Sequence, residues 1–382
     1  MIVQPVMTRV LIIEGEMKQY RVPFYEGLFA ALRSAGIRLQ VAYSEPRASE
    51  RAKQDQSTLP DECGIKIAGY WFFNKLLLQP LFRQIALADL VISDEGNRFL
   101  MKHLLLPFSA FKLKKLALWG LGENKQPDRL AVSEWYKLKV LRWITWWFAY
   151  TPGTVEYLIR HGFPRHRITM VQNAVDTRRI RQWITGFGEY EALAARAAIA
   201  IPPSAPVGVY CGTLDKVKNI PFLVESATMV RRKIPDFHLV IAGSGSDVPY
   251  LEEQVALNRE WLHWVGPKFG KDKALVFKTA DICLMPGRVG LGILDSLAAG
   301  LPLVTTRISI HTPEVEYLED GYNGLMTEPN PEAYANAVIR LLSTPNELRR
   351  LKAGAQTSSE KYSIEAMVDN FHRGIQDCLS GN

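Results

Sequence analysis

Two periodicities alternate along this chain. Residues 8–13 (TRVLII) form an unbroken apolar run, the pattern of a strand covered on both faces, ending in Glu14-Gly15-Glu16. Between 23 and 35 the apolar residues Phe24, Leu28, Ala31 and Leu32 fall at helical spacing, Gly36 stops the pattern, and 37–43 reads as the next strand. Strand, helix, strand predicts a parallel sheet. Weaker strand signals follow at 90–93 and 115–119, with a helix expected over 76–88, while the polar, mixed-charge stretch 45–65 reads as a loop or insertion. A helix is expected over 133–147, with Ser133 as N-cap and Trp135, Leu138, Leu141 and Thr145 at its spacing. Residues 148–151 read as a strand, Pro152 starts a helix that Gly162 ends, and 168–171 is a strand leading into Gln172-Asn173-Ala174-Val175-Asp176.

The second half alternates more cleanly. Strand 207–211 enters the loop GTLDKVKN before a helix over 220–233; strand 237–242 enters GSGS before a helix from about 248. Strand 261–265, a short helix over 272–279 and strand 280–284 lead to residues 285–306, MPGRVGLGILDSLAAGLPLVTT. That stretch reads as a Pro/Gly turn, a helix with small residues on one side, a Gly300-Leu301-Pro302 stop and a strand over 303–306. Every Gly-rich turn stands at the carboxyl end of a strand, the edge at which open parallel sheets bind ligands. The domain boundary is placed in the polar stretch between about 177 and 205, giving domains over 1–180 and 181–360. A last helix within 361–382 follows the completed sheet, and its return to the first domain is left open.

Composition narrows the classes. A chain of 382 residues exceeds most single cores, so two domains are expected. It is 47% hydrophobic and 22% charged, has no uncharged apolar run long enough to span a bilayer, and shows no secretion signal at its start. Cys63, Cys211, Cys283 and Cys378 lack metal-site spacing and suit a reduced cytoplasmic setting, with Cys211 and Cys283 as plain strand residues. The net charge of +7 concentrates in the first half, as in Lys112, Lys114, Lys115, Lys125, Arg129, Lys137, Lys139 and Arg142 against Glu123, Asp128 and Glu134. Six arginines between Arg160 and Arg181 face only Asp176. Such a surface suits anionic partners. One glycine in the first turn excludes a G-x-G-x-x-G dinucleotide fingerprint.

Three turns of the second half could converge on one ligand: 212–219 with Lys216 and Lys218, Gly243-Ser244-Gly245, and 287–292 with Asp295 beyond it. A cation, glycine turns open to close backbone approach and a carboxylate for a ribose would hold a nucleotide diphosphate. Each has a plainer reading: Lys218 as a solvated loop lysine, Gly243 and Gly245 as a tight turn, Asp295 as a helix-capping acid.

The order of these motifs resembles the donor half of retaining GT-B glycosyltransferases of family 4 (glycosyl transferases group 1). The matching residues are Gly212-Thr213-Leu214 with Lys218-Asn219, Ala242-Gly243-Ser244-Gly245, Val265-Gly266 and Ala280-Asp281-Ile282-Cys283-Leu284-Met285-Pro286. The match continues through Gly290-Leu291-Gly292, Asp295, Gly300-Leu301-Pro302, Pro313-Glu314 and Asp320-Gly321-Tyr322-Asn323-Gly324. It covers roughly 168–340, and the first 165 residues only in topology. The resemblance implies two doubly wound Rossmann-like α/β domains facing across a cleft, acceptor-binding first and donor-binding second. It implies that Lys218 neutralises the leaving diphosphate and is the catalytic group, that Asp295 holds ribose hydroxyls and that the backbone of Gly290, Leu291 and Gly292 meets the diphosphate. Gly212, Thr213, Gly243 and Gly245 complete the donor site, and Gly15 lets the acceptor domain close on the donor phosphate.

Three positions depart from the family. The first acid of its E-x7-E pair is Gly287, followed by Arg288. The arginine of G-R-L is Thr213, and Arg288 or Arg21 is expected to supply the lost cation. The strand-end histidine aligns with Trp119, so Trp119 and Arg21 become the acceptor or phosphate candidates; His311 is expected to be a surface loop residue. The implied activity is retaining transfer of a hexose from a UDP- or GDP-sugar to a lipid-linked or polysaccharide acceptor, as in bacterial polysaccharide and lipopolysaccharide synthesis. No D-x-D stands at a strand end, so no catalytic metal is expected, and the nucleotide sugar is a co-substrate, with no cofactor. Aromatic and basic residues within 70–82, 99–119 and 135–147 suggest peripheral contact with an anionic membrane, at the inner face of the cytoplasmic membrane. The alternatives are a nucleotide-sugar epimerase on the same scaffold and a nucleotide-sugar-binding protein without catalysis; a nucleic-acid partner is not expected, because no known binding module accompanies the basic residues.

Overall fold

The computed structural model describes residues 7–46, 56–122 and 131–381, without the side chains of 131–134. Lys125, Arg129, Glu123 and Asp128, part of the 45–65 loop, and the side chains of Ser133 and Glu134 lie outside the described residues. The chain divides into two compact units, Met1–Val175 with Ile364–Asn382, and Asp176–Ser363.

The first unit is built on β1 (Thr8–Glu16), β2 (Ile37–Ser44), β3 (Gly64–Lys66), β6 (Leu90–Asp94), β7 (Lys115–Gly120), β8 (Trp146–Ala149) and β9 (Ile168–Met170). They form one sheet in the order β3-β2-β1-β6-β7-β8-β9, parallel throughout. Alternate residues of β1 enter different cores. Val10 and Ile12 pack with the helix Val22–Ser34 and the last helix, which enters through Met367, Phe371 and Ile375. Leu11 and Ile13 pack with Leu105, Leu106, Val155 and Leu158 on the other face. The last helix, Ile364–Ser380, therefore belongs to the first unit, and its Gly374 lies so close to β8 and β9 that a Cβ there would meet Thr169 Oγ1 at 2.5 Å and Phe148 at 2.8 Å.

Two expected helices are corrected. Residues 76–88 hold a helix only at Phe82–Leu87; Leu76–Leu78 is β5, antiparallel to β4 (Tyr70–Phe72) in a separate hairpin. Pro80 stands between the two and restricts Gln79 to an extended backbone. The helix expected over 133–147 is Ala131–Val140 with a tight turn at Leu141–Trp143, after which Trp146 and Trp147 begin β8. Pairing with β7 overrides the helical spacing of Trp135, Leu138, Leu141 and Thr145 from Trp146 on, because both tryptophans are buried in that sheet.

The second unit has β10 (Val207–Cys211), β11 (His238–Ala242), β12 (Leu262–Trp264), β13 (Ile282–Leu284), β14 (Leu303–Thr306) and β15 (Gly324–Thr327). Their order is β12-β11-β10-β13-β14-β15, the doubly wound arrangement with its reversal between β10 and β13. The polar stretch after 176, in which the sequence places the boundary, carries two helices of the second unit: Asp176 caps Thr177–Gly186 by accepting from Arg179 N–H, and Glu189–Ala197 follows.

On β11 and β12, His238 Nδ1 and His263 Nε2 lie 2.9 Å apart. Burial, and for His263 the neighbouring His238, lower both pKa values, that of His263 to about 4. The unfolded chain takes up these protons near pH 6.5 and the folded chain does not. Stability from the pair is therefore complete above about pH 6.5 and is lost as pH falls from there towards about 4. A thermal midpoint measured against pH is expected to fall across that window, and His263→Gln to flatten the fall.

Candidate functional site

Where the strand order of the second sheet reverses, the carboxyl ends of β10 and β13 part and leave a cavity of about 80 Å³. Tyr210, Cys211 and Gly212 line it from β10, and Met285, Gly287 and Arg288 from the turn after β13. Lys218 closes one side, and Gly290, Leu291 and Gly292, at the start of the helix Gly292–Ala298, the other. Ile293 and Leu294 N–H close back on the Gly290 and Leu291 carbonyls at 3.2 and 2.9 Å, so the backbone that meets the cavity is that of Gly290, Leu291 and Gly292. The charged side chains lining the cavity are two cations, Lys218 and Arg288.

These two residues are stitched together through the backbone. Lys218 Nζ donates to the Arg288 carbonyl at 2.6 Å, and Arg288 N–H donates to the Val217 carbonyl at 2.8 Å. A lysine ammonium has three donors, so two remain for an anion. Burial lowers the Lys218 pKa below that of an ordinary lysine; Asp215 works against the shift and the Arg288 charge adds to it. Arg288 Nε is buried and has no hydrogen-bond partner among the described residues. Gly287 lies flat against Lys218: a Cβ there would stand 2.3 Å from the Lys218 carbonyl carbon and oxygen. No side chain fits on this backbone, so the acid missing here is excluded by the fold of the turn.

The turn is fastened from below. Thr305 Oγ1 donates to the Met285 carbonyl at 2.7 Å, and Thr306 Oγ1 to the Pro286 carbonyl at 2.5 Å. His311 Nδ1 accepts from Val289 N–H at 3.0 Å, which places its proton on Nε2, 2.7 Å from the Thr306 carbonyl. His311 is thus no surface residue, as the sequence suggested, but a buried staple of the Gly-rich turn. Its loop position hid this, because the partners stand 5 and 22 residues away.

The remaining sequence candidates fall into three groups. Gly243 and Gly245 hold the first turn in place: a Cβ on them would meet the Gly212 carbonyl oxygen at 1.9 Å and the Leu214 carbonyl oxygen at 2.1 Å. Thr213 Oγ1 donates to Asp215 Oδ2 at 2.9 Å and does not line the cavity. Asp295 also stands off the lining, paired with Lys273 at 2.8 Å. Burial disfavours the Lys273 charge, but the Asp295 carboxylate and Cys211 outweigh it and its pKa is raised. Sequence reading missed Lys273, which nothing distinguishes from Lys271 and Lys278 on the same helix, Gly270–Lys278. Burial pushes the Cys211 and Cys283 thiols up to about 12, so neither is a thiolate at neutral pH.

Gly15, Arg21 and Trp119 belong to the first unit. Gly15 in β1 leaves room for the Phe99 ring, 3.4 Å from where a Cβ would be. Arg21 is buried, its guanidinium 4.3 Å from the Trp119 ring centre and its Nη2 donating to Tyr150 Oη at 3.1 Å. Trp119 packs in turn on Phe24 and Phe371. Both are core residues at the carboxyl edge of the first sheet, and Arg21 Nη1 and Trp119 Nε1 have no hydrogen-bond partner among the described residues.

Residues 205–344 match the family model described as Glycosyl transferases group 1. This segment is similar to group 1 glycosyl transferases. The whole cavity, from Tyr210 to Gly292, lies inside the matched segment. The D-inositol 3-phosphate glycosyltransferase of Corynebacterium urealyticum is 28% identical over 185 residues, covering 45% of this chain and 43% of that protein. The alpha-monoglucosyldiacylglycerol synthase of Acholeplasma laidlawii is 25% identical over 181 residues, 46% of this chain and 44% of that one. The match thus spans less than half the length of either relative. Among solved structures, a glycosyltransferase from Rickettsia africae aligns with a TM-score of 0.71 at 13% identity over 98% of this chain and 99% of its own. Anabaena HepE in complex with UDP aligns at 0.69 and 14%, over 97% and 100%. The chain therefore has the GT-B fold of two Rossmann-like halves.

Proposed function

We propose that the protein is a retaining glycosyltransferase that moves a hexose from a nucleotide diphosphate sugar to a hydroxyl of a lipid-linked or polysaccharide acceptor. The observation that carries this reading is the cavity between β10 and β13, where Lys218 and Arg288 face the start of a helix across glycine backbone. Two cations and the backbone of Gly290, Leu291 and Gly292 suit a diphosphate. As the bond between the anomeric carbon and the diphosphate oxygen breaks, its electron pair moves to that oxygen. Lys218, with two N–H donors to spare, stabilises the growing charge. Arg288, with its unpaired Nε, takes the part of the arginine that Thr213 replaces. Asp295 and Lys273 act together at the nucleoside end, the carboxylate accepting from ribose hydroxyls. The first unit binds the acceptor, with Gly15, Arg21 and Trp119 as its candidate residues. No protein nucleophile and no metal are assigned to the transfer.

Structural neighbours described in complex with UDP and with UDP-glucose favour UDP as the donor nucleotide. The relative named alpha-monoglucosyldiacylglycerol synthase favours a lipid acceptor, in a role in cell-surface glycan synthesis. No helix among the described residues is long and apolar enough to cross a membrane, so contact with the inner face of the cytoplasmic membrane would be peripheral.

A thermal-shift panel of nucleotides and nucleotide sugars tests the donor site. At a hundredfold excess over Kd, a bound nucleotide adds about 2.7 kcal/mol to the folded state, so UDP and UDP-hexoses are expected to raise the midpoint of the second unit. A panel with no shift overturns the reading. A shift without transfer to any extract-derived acceptor would favour the binding protein, and an epimer formed without acceptor the epimerase.

A further inference from the structure

The least expected surface of this protein is on the first unit, far in sequence from the segment that resembles group 1 glycosyl transferases. The hairpin of β4 and β5 turns at Phe73 and Asn74, both at positive φ (52° and 53°), with Lys75 N–H donating to the Phe72 carbonyl. An aromatic residue rarely adopts that backbone, and glycine or asparagine is the usual occupant. Phe73 is also 91% exposed, so neither packing nor turn chemistry accounts for it.

It does not stand alone. Phe82 on the helix Phe82–Leu87, Leu104 and Phe108 on the helix Leu100–Ala110, and Phe111 and Leu113 just after it are all exposed, the last two at 77% and 70%. Leu104, Phe108 and Phe111 recur at helical spacing along one stripe. These elements adjoin one another. Leu77 N–H donates to the Arg98 carbonyl at 2.7 Å, and Lys114 Nζ donates to the carbonyls of Ala86 and Ala88.

The charge of the region is predominantly positive, with Asp89 an exposed acid that accepts from Arg9 N–H at its border. Residues 67–88 and 97–122 contain no Asp or Glu. Their exposed charged side chains are Lys75, Arg83, Arg98 and Lys112, so cations sit beside the exposed rings. In a two-fold contact the same patch meets itself, which here would press cations on cations. Nucleic acid would satisfy the charge but not the exposed leucines. An anionic bilayer meets both, taking rings and aliphatic side chains at its headgroup boundary and cations at its phosphates.

We propose that the β4–β5 hairpin and the helix Leu100–Ala110 with its following turn form a docking face for an anionic lipid bilayer, with Phe73 entering the headgroup layer. This deepens the proposed function on its acceptor side, yet it rests on a surface that the nucleotide site does not include.

The test is flotation of the full chain with vesicles of phosphatidylcholine alone or mixed with phosphatidylglycerol. Binding is expected only to the mixed vesicles, weakening as salt is raised. Phe73→Asn gives the turn a residue that tolerates positive φ, so the thermal midpoint should hold or rise while vesicle affinity falls about tenfold. Lys75→Glu with Lys112→Glu should abolish binding and leave the UDP-induced thermal shift intact. Flotation and thermal shift thus fail separately, the first with this face and the second with the donor site. The inference is overturned if the protein floats with neither vesicle, if Phe73→Asn floats as the parent does, if light scattering shows a dimer that Phe73→Asn dissolves, or if an oligonucleotide binds with the same dependence on Phe73.

Discussion

Lys218→Ala is expected to lower kcat for sugar transfer about 100- to 1,000-fold, the usual cost of removing one donor aimed at developing charge. The ammonium is placed for this by the Arg288 carbonyl, which holds one of its three N–H groups at 2.6 Å and leaves two directed elsewhere. The same change frees the Arg288 segment, so Lys218→Met, which keeps the apolar stem, is the better comparison for stability. Because burial lowers the Lys218 pKa, its charge is lost at lower pH than that of an ordinary lysine. The transfer rate should accordingly decline on the alkaline side before an ordinary lysine would titrate. Lys218→Arg, with a guanidinium that keeps its proton, should remove that decline if any activity survives. Transfer assays with a UDP-sugar across pH check all three outcomes, and near-parental activity in Lys218→Met would sink the assignment.

Gly287→Ala is expected to have the second largest effect, on stability and on the site together. The new methyl would stand 2.3 Å from the carbonyl group of Lys218 and 2.6 Å from its Cα. All of these are backbone atoms, so no rotamer change relieves the clash, and one segment must move. Overpacking of this kind costs about 1–3 kcal/mol, or roughly 2–12 °C in the midpoint of a unit this size. The moving segment carries Lys218 and Arg288, so the UDP-induced thermal shift should shrink as well. Gly287→Glu would restore the acid of the family pattern, but it carries the same Cβ and should fare worse. Calorimetry with and without UDP decides. An unchanged midpoint, or a Gly287→Glu variant that transfers better than the parent, would show that the turn tolerates a side chain.

How much of this was legible beforehand varies by element. Five of the six strands of the second sheet, all but β15, were legible because parallel strands covered on both faces are mostly apolar, and that signal is local. Gly36 and Pro152 marked their helix boundaries for equally local reasons, a positive φ of 73° and a place at N1. Residues 76–78 misled because three leucines fit a helix as readily as a strand; pairing with Tyr70–Phe72 settled it. Trp146 and Trp147 fall in the helix expected from the spacing of Trp135, Leu138, Leu141 and Thr145, but the sheet between β7 and β9 buries them.

The candidate site divides along similar lines. Gly212, Lys218, Arg288 and Gly290 to Gly292, picked out as residues, do meet at one cavity. The pairing of Asp295 with Lys273 and the capture of Val289 by His311 each join residues 22 apart, and no pattern along the chain announces either.

By itself, then, the sequence determined the alternation of strand and helix, the glycine turns at strand ends and the family pattern they resemble. Each of these depends on neighbours within a few residues, where backbone sterics and hydrophobic periodicity act. Only the tertiary structure decided why Gly287 must be glycine, which donor Lys218 spends on its own chain, and that Phe73 is left in water. Those answers depend on which distant segments the sheet brings within van der Waals contact, and that is fixed by the packing of the whole unit.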